Sequence, residues 1–158
     1  PSACFPTLEL RMTDVCTRLD DSLTIAAMFT CMLSMLTRLR KNNQRWRVYP
    51  RSLVNENRWL AQRHGPTQGL VDFGKGAVTP FAELLEELIE LMAEDAERLG
   101  CVAEMAHARE ILKRGTSAQR QLRVYKEAMD GGAGKAEALR AVVAMLIEET
   151  MIGLEAPV

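Results

Sequence analysis

The chain has 158 residues, 47% of them apolar and 26% charged, with a formal net charge of −1, so it is long and apolar enough for one domain with a buried core. A near-neutral balance excludes a global electrostatic pull toward nucleic acid or an anionic membrane. Cys4, Cys16, Cys31 and Cys101 have no CxxC spacing and do not cluster in sequence with His64 or His107; they signal neither a zinc site nor a disulfide framework, and reduced thiols in a cytoplasm fit them best.

The first predicted element is a strand over residues 5–13, Phe5-Pro6-Thr7-Leu8-Glu9-Leu10-Arg11-Met12-Thr13. Alternation puts Thr7, Glu9, Arg11 and Thr13 on one face and Leu8, Leu10 and Met12 on the other. A carboxylate and a guanidinium two residues apart on one face lie within ~7 Å of each other, close enough to hold a metal and a phosphate together. The competing reading is an exposed edge strand whose Glu9 and Arg11 sit in water. Such a strand needs neighbours for its backbone groups, and none is evident nearby in a chain that begins at Pro1. The expectation is a portion of a larger protein.

Asp20, Asp21 and Ser22 offer N-caps to the run from Leu23 to Leu36, which is apolar around most of a helix. Charges resume at Arg38, so this run falls short of the ~20 residues of a membrane span, and no membrane partner is expected. Met28, Cys31, Met32 and Met35 share a helical stripe that reads as flexible core filling rather than a copper site. Residues 38–58 are rich in arginine and could face phosphates, but Trp46 and Tyr49 within them and Trp59 just beyond are the aromatics at hand, too few stacking groups for single-stranded nucleic acid. No nucleic-acid partner is expected.

Pro50 and Gly65 bracket a second helix over residues 51–64. Leu53, Asn57, Leu60, Ala61 and His64 share one of its faces. Asn57 within that stripe must be hydrogen-bonded, either to a neighbouring backbone or toward a polar cavity. Residues 70–73 and 76–78 form a small hairpin about Gly74-Lys75, and Thr79-Pro80 starts a helix that runs to Gly100 with its acidic residues facing out. Helices over about 102–114, 117–129 and 136–151 follow, divided by Gly115 and by Gly131, Gly132 and Gly134. The fold class is α+β, mostly α: a helical bundle with a hairpin at about 70–78. Arg109, Arg120 and Arg123 read as surface or helix-pair charges.

Taken in order, Thr7-Leu8-Glu9-Leu10-Arg11 with Asp14, Glu56-Asn57-Arg58-Trp59-Leu60-Ala61-Gln62-Arg63-His64-Gly65, Asp72-Phe73 before a glycine turn, Asp95-Ala96-Glu97-Arg98-Leu99-Gly100, and Gly115-Thr116-Ser117-Ala118 with Arg120-Gln121 closely resemble the bacterial carboxylate-amine ligases. These are the type 2 glutamate-cysteine ligase-like proteins, related in fold to glutamine synthetase. Each motif is weak alone; five in order over nearly the whole chain are specific.

The resemblance implies that residues 1–158 are the C-terminal portion of a catalytic domain, with an active-site strand over 1–14, a helical region over 20–158, and an upstream half that supplies the rest of a glutamine synthetase-like sheet. It implies ATP and Mg2+ as cofactors and a reaction in which a carboxylate is phosphorylated and the acyl phosphate is attacked by an amine. The substrates would be a small carboxylate, glutamate or another amino acid, and an amine such as cysteine; a homo-oligomer is allowed. By resemblance Glu9 is a metal ligand, Arg11 contacts the transferred phosphate or substrate carboxylate, and Asn57, Arg58 and Arg63 line the substrate or nucleotide side. The family commonly has Tyr where His64 stands, so no general base is built on His64. The alternative is a non-catalytic helical interaction module that keeps the family's bundle but leaves Leu8, Leu10 and Met12 uncovered.

Overall fold

The computed structural model describes residues 4–154. In chain order these contain α1 (Leu19–Lys41), α2 (Arg51–His64), a 3-10 turn (Gly65–Thr67), β1 (Leu70–Asp72), β2 (Ala77–Thr79), α3 (Phe81–Leu91), α4 (Ala93–Leu99), α5 (Val102–Arg114), α6 (Ser117–Asp130) and α7 (Lys135–Met151).

The buried positions of α1, Asp21, Thr24, Ala27, Cys31 and Met35, recur every three or four residues, which is one side of a helix. That side packs on α5 and α4. Cys31, Met35, Met92, Ala96 and Met105 form the core, with Met28, Met32, Leu39, Leu88, Ile89 and Cys101 packed around them. The methionine stripe therefore serves the core, where unbranched side chains fill irregular gaps.

Two expectations about α1 change. Its N-cap is Arg18, without a side-chain cap bond, because Asp21 is turned inward to partners on α5. It also runs on past Arg38 to 23 residues, long and apolar enough by length and composition to cross a membrane. Asp21 and Arg38 nevertheless pair with side chains of α5 and α4, which ties this face of the helix to protein.

The predicted helix between Pro80 and Gly100 is two helices, with Met92 ending α3 and opening α4 at φ −100°, ψ 3°. No Gly or Pro marks the break in sequence. It allows Met92, Asp95 and Ala96 all to be buried, so Asp95 faces inward rather than joining the acidic outer face. Gly100 closes α4 in the left-handed conformation at φ 70°, as glycine does readily. Thr116 caps α6 in a capping box with Gln119.

The hairpin forms where expected, antiparallel, with Leu70 opposite Thr79, Val71 opposite Val78 and Asp72 opposite Ala77. The N-terminal strand does not form: residues 7–18 lie outside any ladder. The only sheet among the described residues is the β1–β2 pair, and a strand over residues 5–13 would need a neighbouring strand for its ladder bonds.

Candidate functional site

Although no ladder holds them, Glu9 and Arg11 do meet. Arg11 Nε donates to Glu9 Oε2 at 2.6 Å, with the Arg11 side chain 82% and that of Glu9 36% exposed. An exposed ion pair of this kind is weakly held, so both groups are available to ligands. Leu8 and Met12 on the other side are exposed, and Leu10 is half-buried. Leu10 and Asp14 line a mainly apolar cleft of about 410 Å³ against Ile25 and Phe29 of α1.

The C-terminal end of this segment is sewn to the α6–α7 pair. Thr17 Oγ1 donates to Glu149 Oε2 at 3.0 Å and lies 3.3 Å from Ser117 Oγ. Arg120, buried, binds Glu149 and reaches Thr17 Oγ1 at 3.4 Å. Arg120 is thus a buried helix-pair charge rather than a surface one, and its position fixes where the Glu9 segment leaves the bundle.

Asn57 takes the first of its two predicted alternatives. Its Nδ2 donates to Val71 O at 2.8 Å and its Oδ1 accepts from Val71 N at 2.7 Å, so one side-chain amide replaces a backbone partner and fastens β1 to α2. Replacing Asn57 with Ala strands both Val71 groups. A loss of about 1–3 kcal/mol is expected, read as faster hydrogen exchange at the Val71 amide than at core amides of α5. Arg58 and Arg63 are exposed, and their side chains make no hydrogen bond or ion pair among the described residues. His64 stands edge-on to Trp59 with ring centroids 5.6 Å apart. The structure therefore brings Glu9 to Arg11 and Asn57 to the hairpin; among the described residues no hydrogen bond or ion pair links the two groups.

Two carboxylates, Asp95, a motif residue on a helix expected to turn its acidic residues outward, and Asp21, an N-cap candidate by sequence, are buried instead. Asp95, fully buried, accepts from Ser34 Oγ, from Arg38 Nη2 at 2.9 Å and Nε at 3.2 Å, and from Arg98 Nη2 at 3.2 Å. Burial pushes its carboxyl up, but the donors from Ser34, Arg38 and Arg98 outweigh it and hold the group below its ordinary 3.8. Asp21 accepts from Arg114 Nη2 at 2.6 Å and lies 3.0 Å from His107 Nε2, and it too is lowered, burial being outweighed by Arg114 and His107. A usable signal existed for the first: Ser34 and Arg38 are four residues apart on one face of α1, as are Asp95 and Arg98 three apart on α4.

No group of three or more His, Cys, Asp or Glu side chains among the described residues could hold a metal ion. The Glu9 carboxylate suits a hard cation such as Mg2+, but it is one ligand where an octahedral ion takes six. The residues present fit a contribution to a magnesium site, not a complete one.

The sequence profile of Glutamate-cysteine ligase family 2 (GCS2) matches residues 1–140. Among curated proteins, one from Rhodospirillum rubrum, named "Putative glutamate--cysteine ligase 2", is 62% identical over 99% of this chain and 40% of its own length. Proteins of the same name from a Jannaschia species and from Solibacter usitatus are 51% identical over 98% of this chain and 40% identical over 99% of it, covering 40% and 39% of their own lengths. The chain thus spans about 40% of the length of the curated relatives it matches. No solved structure matches.

Proposed function

The chain belongs to Glutamate-cysteine ligase family 2, and from that premise we propose that it is the C-terminal part of an ATP-dependent ligase joining a carboxylate to an amine. The carboxylate would be that of glutamate or another amino acid and the amine that of cysteine or a similar compound. The observation that carries this reading is the exposed Glu9–Arg11 pair, which offers a hard carboxylate ligand and a guanidinium fork on one side of a segment tied to the bundle at Thr17.

In this reading the γ-phosphoryl group of ATP passes to the substrate carboxylate, giving an acyl phosphate and ADP. The amine nitrogen then attacks the acyl carbon, the C–O bond to phosphate breaks, and the amide forms with loss of a proton and inorganic phosphate. Phosphorylation makes a poor leaving oxygen into a good one. Arg11 would donate two parallel hydrogen bonds to the phosphate or carboxylate, binding and orienting it. Magnesium, when bound, would neutralise phosphate charge, with Glu9 supplying one ligand oxygen. Arg58 and Arg63, exposed and without intramolecular partners among the described residues, would serve the nucleotide or substrate side. Asn57 would act on that side by holding the hairpin to α2. The upstream half of the domain would complete the site, in a cytoplasmic enzyme that could assemble as a homo-oligomer.

The test is phosphate release from Mg-ATP by this chain joined to the remaining 60% of a relative's domain, screened across amino-acid carboxylates and amines. Release that requires both substrates is expected. A folded assembly that releases no phosphate with any pair would overturn the ligase reading in favour of an interaction module.

A further inference from the structure

We infer that Cys31 and Cys101 form a thiol–disulfide modification site that hydroperoxides can close. The two Sγ atoms lie 3.3 Å apart across 70 residues of sequence, one on α1 and the other in the two-residue corner between α4 and α5. A disulfide needs about 2.05 Å, so an approach of little more than 1 Å joins them. Cys101 directly follows Gly100, whose left-handed φ of 70° makes the corner. Cys31 is fully buried while Cys101 is half-exposed, and this asymmetry assigns the order of events. Burial, reinforced by the neighbouring Cys101, pushes the Cys31 thiol up to about 12, which keeps it protonated and out of reach of a solvent oxidant. Cys101 is the entry point.

The Cys101 sulfur attacks one oxygen of the hydroperoxide, the O–O bond breaks, and the departing hydroxide or alkoxide takes up a proton. Cys101 is left as a sulfenic acid, oxidised by two electrons. The Cys31 sulfur then attacks the Cys101 sulfur; the S–O bond breaks, and hydroxide leaves with the Cys31 proton as water. With hydrogen peroxide, two thiols become one disulfide and one peroxide becomes two waters. An external dithiol reverses the change. The closed link would staple α1 to the α4–α5 corner and enclose α2, the hairpin, α3 and α4 in one covalent loop. It stands on this geometry alone, independent of the ligase reading.

The test treats the full chain with one equivalent of hydrogen peroxide, then alkylates and maps peptides by mass spectrometry. Expected are a 2 Da loss carried by a Cys31–Cys101 cross-linked peptide, and a Tm higher by about 10 °C that dithiothreitol reverses. Cys101→Ser should abolish the cross-link, and Cys31→Ser should leave Cys101 as a sulfenic acid trapped by dimedone. The inference is overturned if Cys101 proceeds to the sulfinic acid while Cys31 stays alkylatable. A 2 Da loss that maps to Cys4 or Cys16 overturns it equally.

Discussion

Replacing Asp95 with Ala should lower the unfolding free energy by about 1–3 kcal/mol, because it removes the buried acceptor that Ser34 shares with Arg38, while the partly exposed Arg38 keeps Glu94 as a partner. For a chain of this size the Tm should fall by roughly 5 °C, measured by thermal denaturation. Asp95→Asn keeps the shape and two hydrogen-bonding sites but removes the charge, and should lie between the two. The pH dependence follows from the direction of the shift. The folded carboxyl titrates below its ordinary 3.8, so the unfolded chain binds the proton more readily. Its stabilisation is complete above the unfolded value and is lost as pH falls through the folded one. Between about pH 5 and pH 3 the parent should lose stability more steeply than Asp95→Ala, and matching slopes would show that Asp95 does not carry the acid limb.

Substituting Glu9 by Gln should reduce amide synthesis by the assembled ligase at least ~100-fold while leaving the fold unchanged. The loss of one preorganised electrostatic group at a phosphoryl-transfer centre is of that size, and Gln keeps the volume but not the charge. Near-normal turnover at ordinary magnesium would refute the assignment. Since Glu9 is exposed and bonded only to Arg11 among the described residues, the Tm should move by less than a degree or two, which separates a site effect from a folding effect. Arg11→Lys should also be poorly active, for Lys keeps a charge but loses the two-pronged geometry.

The helices were legible because their punctuation is chemical. Pro50 and Gly65 enclose α2, Gly100 and Gly115 stop α4 and α5, and Thr116 caps α6 with its hydroxyl, each through a property local to a few adjacent residues. The hairpin followed for the same reason. What was not legible depends on partners remote in sequence. The alternation of residues 5–13 states which side chains share a face, and Arg11 does reach Glu9, but a ladder also requires a second strand. The break at Met92 arises from packing on α1, and the inward turn of Asp95 from Arg38, 57 residues away. Several motif residues carrying the family resemblance prove to serve the scaffold: Asp95 and Arg120 are buried in ion pairs, Gly100 makes the exposed corner after α4, and Thr116 caps α6. Motif matching sees that such positions are specific without distinguishing scaffold from chemistry.

The knot of Thr17, Ser117, Arg120 and Glu149 has a thermodynamic corollary. Because α6 and α7 pack chiefly on each other, their docking onto the remainder leans on a few directional polar bonds, and local opening of such a unit costs less than global unfolding. Thr17 lies only six residues beyond Arg11, so docking and the confinement of the Glu9–Arg11 segment are linked functions. Any ligand that favours the ordered segment must, by reciprocity, favour the docked helices by the same free energy. Ligand occupancy of the segment and the docking of the helical pair would in that sense be two readings of one equilibrium.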